Sequence, residues 1–187
     1  MSTPKHQRIG IWIIAVVMII GTIGSFAVII LSNQNQQADQ KQQSKALADY
    51  QKQIKEQAAA NAAASKPLDG YNAEAFDPSS ITDLKVDTLV QGDGAVAAAT
   101  STVNANYFGW TSDGKIFDSS NKNGKVTPVD FSLGQVITGW TKGLTGVKAG
   151  SVVKITIPTD QAYGETAADN GQPAGPLMFI VQLNTVK

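Results

Sequence analysis

The side chains that could do chemistry in this chain of 187 residues are limited by two absences. There is no Cys, and the single His is His6, which lies close to Lys5 and Arg8 at the start of the chain. The lack of Cys excludes a thiolate nucleophile, a disulfide, an iron–sulfur cluster and a zinc site with Cys ligands. The single His argues against a Ser–His–Asp hydrolase and a His-rich metal site. An enzyme built from this chain would therefore work without imidazole or thiol.

The remaining candidates are aromatic rings and one carboxylate that lies among them. Asp118 directly follows Phe117. An acid within an apolar cluster needs a partner or a function, because burial of an unpaired charge is costly. The alternative for Asp118 is a simple acceptor in the turn that follows Asp113-Gly114. Each aromatic residue, taken singly, is typical of core packing.

Short apolar runs separated by turn dipeptides predict the elements that position these residues. The dipeptides Asp93-Gly94, Asp113-Gly114, Asn123-Gly124 and Asn170-Gly171 supply the positive φ that a reversing chain needs. The runs between the turns are rich in Val, Ile, Thr and Phe and predict strands. The predicted strands are 85–90, 100–110, 115–117, 129–133, 151–157 and 177–186.

Two patterns predict how these elements pack. In the strand 100–110, Val103, Ala105 and Tyr107 alternate with polar residues, so one face is expected to meet a core and the other water. The segment 136–147 has apolar residues at spacings of three and four, which predicts a short helix. A largely antiparallel sheet packed on one short helix is an α+β domain.

A run of 23 residues without a charged or amide side chain, 9–31, precedes this domain. As a helix it would extend ~34 Å, which is enough for the ~30 Å hydrocarbon core of a lipid bilayer. The run exceeds the apolar region of a signal peptide, and no convincing cleavage site follows, so we predict an uncleaved transmembrane signal-anchor. Lys5 and Arg8 lie just before it. The positive-inside rule then predicts a single-pass cell-membrane protein with residues 1–8 in the cytoplasm and the rest outside.

Residues 32–66 form a predicted stalk that is polar and rich in Gln, Ala and Lys, which are good helix formers. Larger apolar residues at helical spacing fill one heptad only, which favours a solvated, partly helical stalk over a coiled coil. Pro67 ends this pattern, and a domain 67–187 follows. Residues 1–66 carry a net charge of +4 and the remainder −4, so the formal charge of zero is a cancellation.

Four stretches after residue 106 contain a recognisable series of motifs. They are YFGWTSDGKIFDSS at 107–120, PVDFSLGQVITGWTKGLTGVKAG at 128–150, IPTDQAYG at 157–164 and PLMFIVQL at 176–183. Together with a weaker LKVDTLVQGDG at 84–94, this series resembles the FK506-binding protein (FKBP) family of peptidyl-prolyl cis-trans isomerases. Several motifs in family order are a specific signal. The resemblance implies an FKBP-like α+β fold, in which an antiparallel half-barrel wraps around the short helix and leaves an aromatic pocket between them.

The resemblance also implies two groups of site residues, with no cofactor and no metal. The catalytic group comprises Asp118, Tyr163, Phe117 and Tyr107, of which Asp118 matches the acid beside the amide that twists and the rings of Phe117 and Tyr107 match aromatic walls. The substrate-binding group, with an indole as the floor on which a proline ring would sit, comprises Trp140, Val136, Ile137, Phe179, Val129, Phe131 and Ala162. Tyr163 is expected to hydrogen-bond the substrate carbonyl, and the Ile137 amide to donate to the bound peptide.

Three differences from the family pattern affect the expected pocket. Val129 follows Pro128 where the family usually has an aromatic residue, so one wall is smaller. The loop at Gly171-Gln172-Pro173 is shorter than is common, and residues 121–127 offer no certain match to the family's basic pocket residue. These differences leave the affinity for macrolides such as FK506 or rapamycin open, and they concern substrate preference more than fold.

The leading interpretation is a membrane-anchored peptidyl-prolyl cis-trans isomerase that assists polypeptides with Xaa-Pro segments to fold outside the cytoplasm. One alternative is a tethered module that binds proline-containing peptides, or acts as a chaperone, without catalysis. Another is a structural surface protein, which would leave the pocket unexplained. The chain has neither a P-loop nor a basic, aromatic-rich segment, so no nucleic acid partner is expected. The carboxylates of Asp160, Glu165 and Asp169 are more typical of a solvated loop than of a calcium site.

Overall fold

The computed structural model of the protein describes residues 36–166 and 171–187. The chain divides at Lys52 into two units, and the larger, Gln53–Lys187, contains all the strands of the described residues. Within the described ranges, no helix is both long and apolar enough to cross a bilayer. The predicted transmembrane segment 9–31 lies outside these ranges, so it stays a prediction, as do the domain boundaries.

Two α-helices and nine strands make up the described part of the chain. The helices are α1 (Gln36–Ala64) and α2 (Thr138–Leu144). The strands are β1 (Ser65–Lys66), β2 (Lys85–Val90), β3 (Thr102–Trp110), β4 (Ile116–Ser119), β5 (Asn121–Lys122), β6 (Lys125–Val126), β7 (Val129–Ser132), β8 (Val152–Ile157) and β9 (Leu177–Val186). Short 3-10 turns lie at Pro78–Ser80, Leu133–Gln135 and Thr159–Gln161.

A six-stranded antiparallel sheet forms the body of the larger unit. Its order is β2-β8-β9-β3-β4, and β7 also pairs with β3. The two longest strands, β3 and β9, pair from Val103 opposite Val186 to Trp110 opposite Met178. Since β3 touches β4, β7 and β9, it brings residues from distant parts of the sequence to one place.

Helix α2 packs on the inner face of the sheet through two glycines. A Cβ atom at Gly139 would lie 2.4 Å from Cγ2 of Ile157, and one at Gly143 would lie 3.0 Å from Cγ2 of Ile155. Both isoleucines belong to β8 and are fully buried. The absence of side chains at these two helix positions therefore lets α2 approach the sheet closely, with Trp140 on the same buried side.

The α+β fold with an antiparallel sheet and one short helix confirms the prediction from sequence. The predicted strands 85–90 and 177–186 match β2 and β9, and the other four differ by one or two residues at one or both ends. The predicted helix 136–147 is shorter, because Val136 and Ile137 have extended ψ angles and Gly146 has a φ of 90°.

The expectation that the outer face of β3 meets water is wrong near the end of the strand. Phe108 and Trp110 are buried in a second core with Leu68, and the indole nitrogen Nε1 of Trp110 donates a hydrogen bond to the Glu74 carbonyl at 2.9 Å. The segment after β1 covers this face. The alternation of residues within β3 does not show that another segment covers its outer face, because Glu74, which accepts from Trp110, lies 36 positions earlier in the chain.

Candidate active site

Aromatic rings from different elements meet around Trp140. Its ring centroid lies 5.4 Å from Tyr107, 5.0 Å from Phe131 and 5.4 Å from Phe179, with interplanar angles of 87°, 64° and 85°. Phe117 continues the cluster through an edge contact with Phe179 at 5.6 Å. These edge-to-face arrangements are the ones that aromatic quadrupoles favour. Trp140 is only 4% exposed and forms a rigid apolar base for the cluster.

Gly109 allows two of these rings to lie across β3. It pairs with Phe179 on one neighbouring strand and with Asp118 on the other. A Cβ atom at Gly109 would lie 2.4 Å from Cε1 of Phe179 and 2.8 Å from Cζ of Phe117. Such distances are shorter than van der Waals contact, so any larger residue at 109 would displace the rings.

Asp118 lies at the edge of this cluster and accepts four hydrogen bonds. The Tyr107 hydroxyl donates to Oδ2 at 2.5 Å. Three donors share Oδ1: the Ser119 amide at 2.9 Å, Nζ of Lys122 at 2.8 Å and Nδ2 of Asn61 at 2.9 Å. The side chain of Asp118 is 34% exposed, so the carboxylate is held in a fixed orientation and still reaches the surface.

Two phenols near this carboxylate hold their protons strongly. Burial raises the pKa of Tyr107 well above its usual value, and the negative charge of Asp118 adds to the effect. Burial, again assisted by Asp118, raises the pKa of Tyr163 to about 12. Both hydroxyls therefore remain protonated at neutral pH, and that of Tyr107 donates to Asp118.

Titration of Tyr163 is expected to show a midpoint of about 12, against 10.0 for an ordinary tyrosine. Ultraviolet difference spectra between the chain and its Tyr163→Phe variant isolate this group. Because the folded pKa is the higher one, the native state keeps the associated stability below pH ~10 and loses it as the pH rises through about 12. A midpoint near 10 in the folded protein would contradict the burial of this hydroxyl.

Ten of the eleven predicted site residues lie in, pack against or hydrogen-bond to the buried core that contains Trp140. Phe179 and Trp140 belong to the buried core, Asp118 contacts Tyr107, and the other seven pack partly buried against that core: Tyr107, Phe117, Phe131, Val136, Ile137, Ala162 and Tyr163. Val129, on β7, is half-buried and pairs with Ala105 on β3, but it is not among the residues that pack against this core. The roles of all eleven stay predictions.

Two residues around Asp118 were missed from sequence. Lys122 forms an ion pair with Asp118 at 2.8 Å, although the polar segment that contains it offered no certain basic match. The turn from β4 into β5 brings these residues together, and the only sequence signal is their spacing of four. Asn61 lies 57 positions before Asp118, in the predicted stalk, and no local pattern connects the two.

Comparisons with known proteins identify the relatives of this chain. The family model described as FKBP-type peptidyl-prolyl cis-trans isomerase matches residues 94–184. The FK506-binding protein of Streptomyces anulatus is 40% identical over 109 residues, which are 56% of this chain and 86% of that protein. The isomerase FkpA of Escherichia coli K12 is 39% identical over 108 residues, which are 58% of this chain but only 39% of FkpA.

Solved structures show the same relationship in three dimensions. The crystal structure of FkpA from Escherichia coli has a TM-score of 0.51 and 29% identity, and the similarity covers 100% of this chain and 84% of that one. A peptidyl-prolyl cis-trans isomerase from Pseudomonas syringae pv. tomato has a TM-score of 0.50 and 30% identity, with 73% of this chain and 95% of that one covered.

Proposed function

The chain belongs to the FKBP-type peptidyl-prolyl cis-trans isomerase family, and from that membership we propose that it catalyses cis-trans isomerisation of Xaa-Pro bonds. The observation that carries this proposal is the Asp118 carboxylate, bonded to the Tyr107 hydroxyl at the edge of an aromatic cluster whose base is Trp140. This arrangement offers an apolar surface for a proline ring beside a fixed negative charge.

The reaction suits a site without a nucleophile. Rotation about an X–Pro bond breaks no covalent bond, and its barrier of ~18–20 kcal/mol comes from amide resonance that is lost as the bond twists. Tighter binding of the twisted amide than of the planar one lowers the barrier, by tenfold in rate for each ~1.4 kcal/mol. A twisted carbonyl is less polar than a planar one, so an apolar cavity favours it.

Each site residue has a specific role in this mechanism. The proline ring sits on Trp140, and the walls are formed by Tyr107, Phe117, Phe131 and Phe179, with Val136, Ile137 and Ala162 at the rim. The amide of Ile137 donates to the peptide backbone. Tyr163, whose raised pKa keeps its hydroxyl protonated, donates to a substrate carbonyl. Asp118 lies beside the amide that twists.

The proposed substrates are Xaa-Pro segments of polypeptides that fold outside the cytoplasm. The predicted transmembrane segment 9–31 would hold the chain in the cell membrane, and the basic residues before it would keep the N-terminus inside. A relative from Legionella longbeachae, 39% identical over 107 residues, is named outer membrane protein MIP. Macrolides such as FK506 or rapamycin are proposed as ligands of the same pocket.

Isomerisation of a short Xaa-Pro peptide by the full chain in detergent or nanodiscs tests this function. We expect the chain to accelerate cis-to-trans conversion in proportion to its concentration, and a macrolide that fills the pocket to suppress the acceleration. A folded chain that leaves the uncatalysed rate unchanged would refute the enzyme. If that inactive chain still bound proline peptides, a non-catalytic binding module would become the better interpretation of the protein.

A further inference from the structure

We propose that Asn61, near the end of α1, is a positioning residue for Asp118, so that a helix outside the region matched by the family model completes the site. This role rests on the proposed isomerase function. The family model begins at residue 94, and Asn61 lies 33 residues before it. The end of α1 belongs to the same compact unit as Asp118.

The contact itself is direct and partly buried. The side-chain amide nitrogen Nδ2 of Asn61 lies 2.9 Å from Oδ1 of Asp118. Oδ1 also accepts from the Ser119 amide and from Lys122, whereas Oδ2 accepts from the Tyr107 hydroxyl. Donors on both oxygens fix the plane of the carboxylate, which a single ion pair with a flexible lysine would leave free to rotate.

The end of α1 is held in place by contacts on either side of Asn61. One side of its last turns is partly buried, at Ile54, Ala58 and Asn61, which recur at spacings of four and three, and Ser65, the first residue after the helix, is fully buried. On the N-terminal side of Asn61, a Cβ atom at Gly171 would lie 2.6 Å from Cβ of Ala58. Because the helix packs this closely against Gly171, the position of Asn61 is constrained.

At the other end, the chain leaves α1 through contacts with β5. The Asn123 amide donates to the Ala64 carbonyl at 2.8 Å, and β1 pairs with β5. Nζ of Lys122 donates to Oγ of Ser65 at 2.7 Å as well as to Asp118. Lys122 thus ties the helix end and the carboxylate together, and Asn61 approaches the carboxylate from a fixed position.

The test compares Asn61→Ala with wild type in the full chain by measuring kcat and KM separately for an Xaa-Pro peptide. We expect kcat to fall about five- to tenfold, as for the loss of one ordinary hydrogen bond, because the carboxylate keeps three other donors. KM is expected to change by less than about twofold. Gln57→Ala, at an exposed position one turn earlier on α1, is the matched control and is expected to leave both constants unchanged.

A double-mutant cycle shows whether Asn61 acts through Asp118. In an Asp118→Asn background, Asn61→Ala is expected to cause little further loss, because the carboxylate that it orients is already absent. Asn61→Asp has the same shape as Asn61 but puts a like charge against Asp118, so it is expected to be less active than Asn61→Ala. Unchanged kcat in Asn61→Ala would overturn the proposal, and so would a gain of activity, which would mark α1 as a cover over the site.

A separate measurement distinguishes failure of this role from failure of the proposed function. If the folded wild-type chain has no isomerase activity, the function fails, and the contact is judged by NMR. Asn61→Ala is then expected to shift the amide resonance of Ser119, which donates to the same oxygen, whereas Gln57→Ala is not. An unshifted Ser119 resonance would overturn the positioning role as well.

Discussion

Asp118→Ala is expected to lower kcat/KM for Xaa-Pro isomerisation about 10- to 100-fold while the chain stays folded. The carboxylate has four donors and is the negative charge beside the aromatic cluster. Its removal leaves the buried Tyr107 hydroxyl without an acceptor, at a cost of about 1–3 kcal/mol of stability. Peptide isomerisation and thermal unfolding, measured on the same preparation, separate the two effects.

Asp113→Ala supplies the matched control for this variant. Asp113 also pairs with a lysine, Lys115 at 2.5 Å, but both side chains are exposed and face solvent. Exposed ion pairs contribute little to stability, so Asp113→Ala is expected to keep the wild-type rate. If Asp118→Ala and Asp113→Ala were equally active, the charge at 118 would have no part in the reaction. Asp118→Asn then tests the charge alone, because it keeps the shape of the side chain.

The predicted site residues lie in short, continuous motifs, and the structure packs most of them in or against one buried core. Trp140 was assigned to the site by its place in the FKBP-like motifs, because an aromatic residue at helical spacing is, taken alone, typical of core packing. For Asp118, its position after Phe117 indicated only that the carboxylate needs a partner or a function. Their convergence depends on the pairing of β3 with β4 and β9 and on the packing of α2 against β8. The alternation of apolar residues within a strand does not determine these partners.

The contacts that come from the N-terminal side of the domain were not predictable in this way. Asn61 lies in a low-complexity stretch whose composition predicts only a solvated helix, and its contact with Asp118 depends on where the chain turns after Ala64. Leu68 and Glu74 cover the outer face of β3 for the same reason. Periodicity describes which face of an element is apolar, whereas the partner of that face is set by tertiary packing.

Trp140→Ala is expected to cause the largest combined loss of stability and activity. The indole is 4% exposed and touches three other rings, so its deletion leaves a cavity and costs about 3–5 kcal/mol of unfolding free energy. The same change removes the surface under the proline ring, and peptide binding is expected to weaken at least about tenfold. Denaturant unfolding and peptide titration at low temperature measure the two losses.

Trp110→Ala separates the two effects, because Trp110 is equally buried, at 2%, but lies in the second core on the outer face of the sheet. Its loss also deprives the Glu74 carbonyl of a donor, so the stability cost should match or exceed that of Trp140→Ala. The folded fraction of Trp110→Ala is nevertheless expected to bind proline peptides as wild type does. Equal loss of binding in both variants would mean that Trp140 acts through stability alone. Trp140→Phe keeps an aromatic ring at the base. If Trp140 acts through stability alone, the folded Trp140→Phe variant should bind proline peptides as wild type does. If Trp140 is the pocket floor, the affinity of this variant should lie between those of wild type and Trp140→Ala.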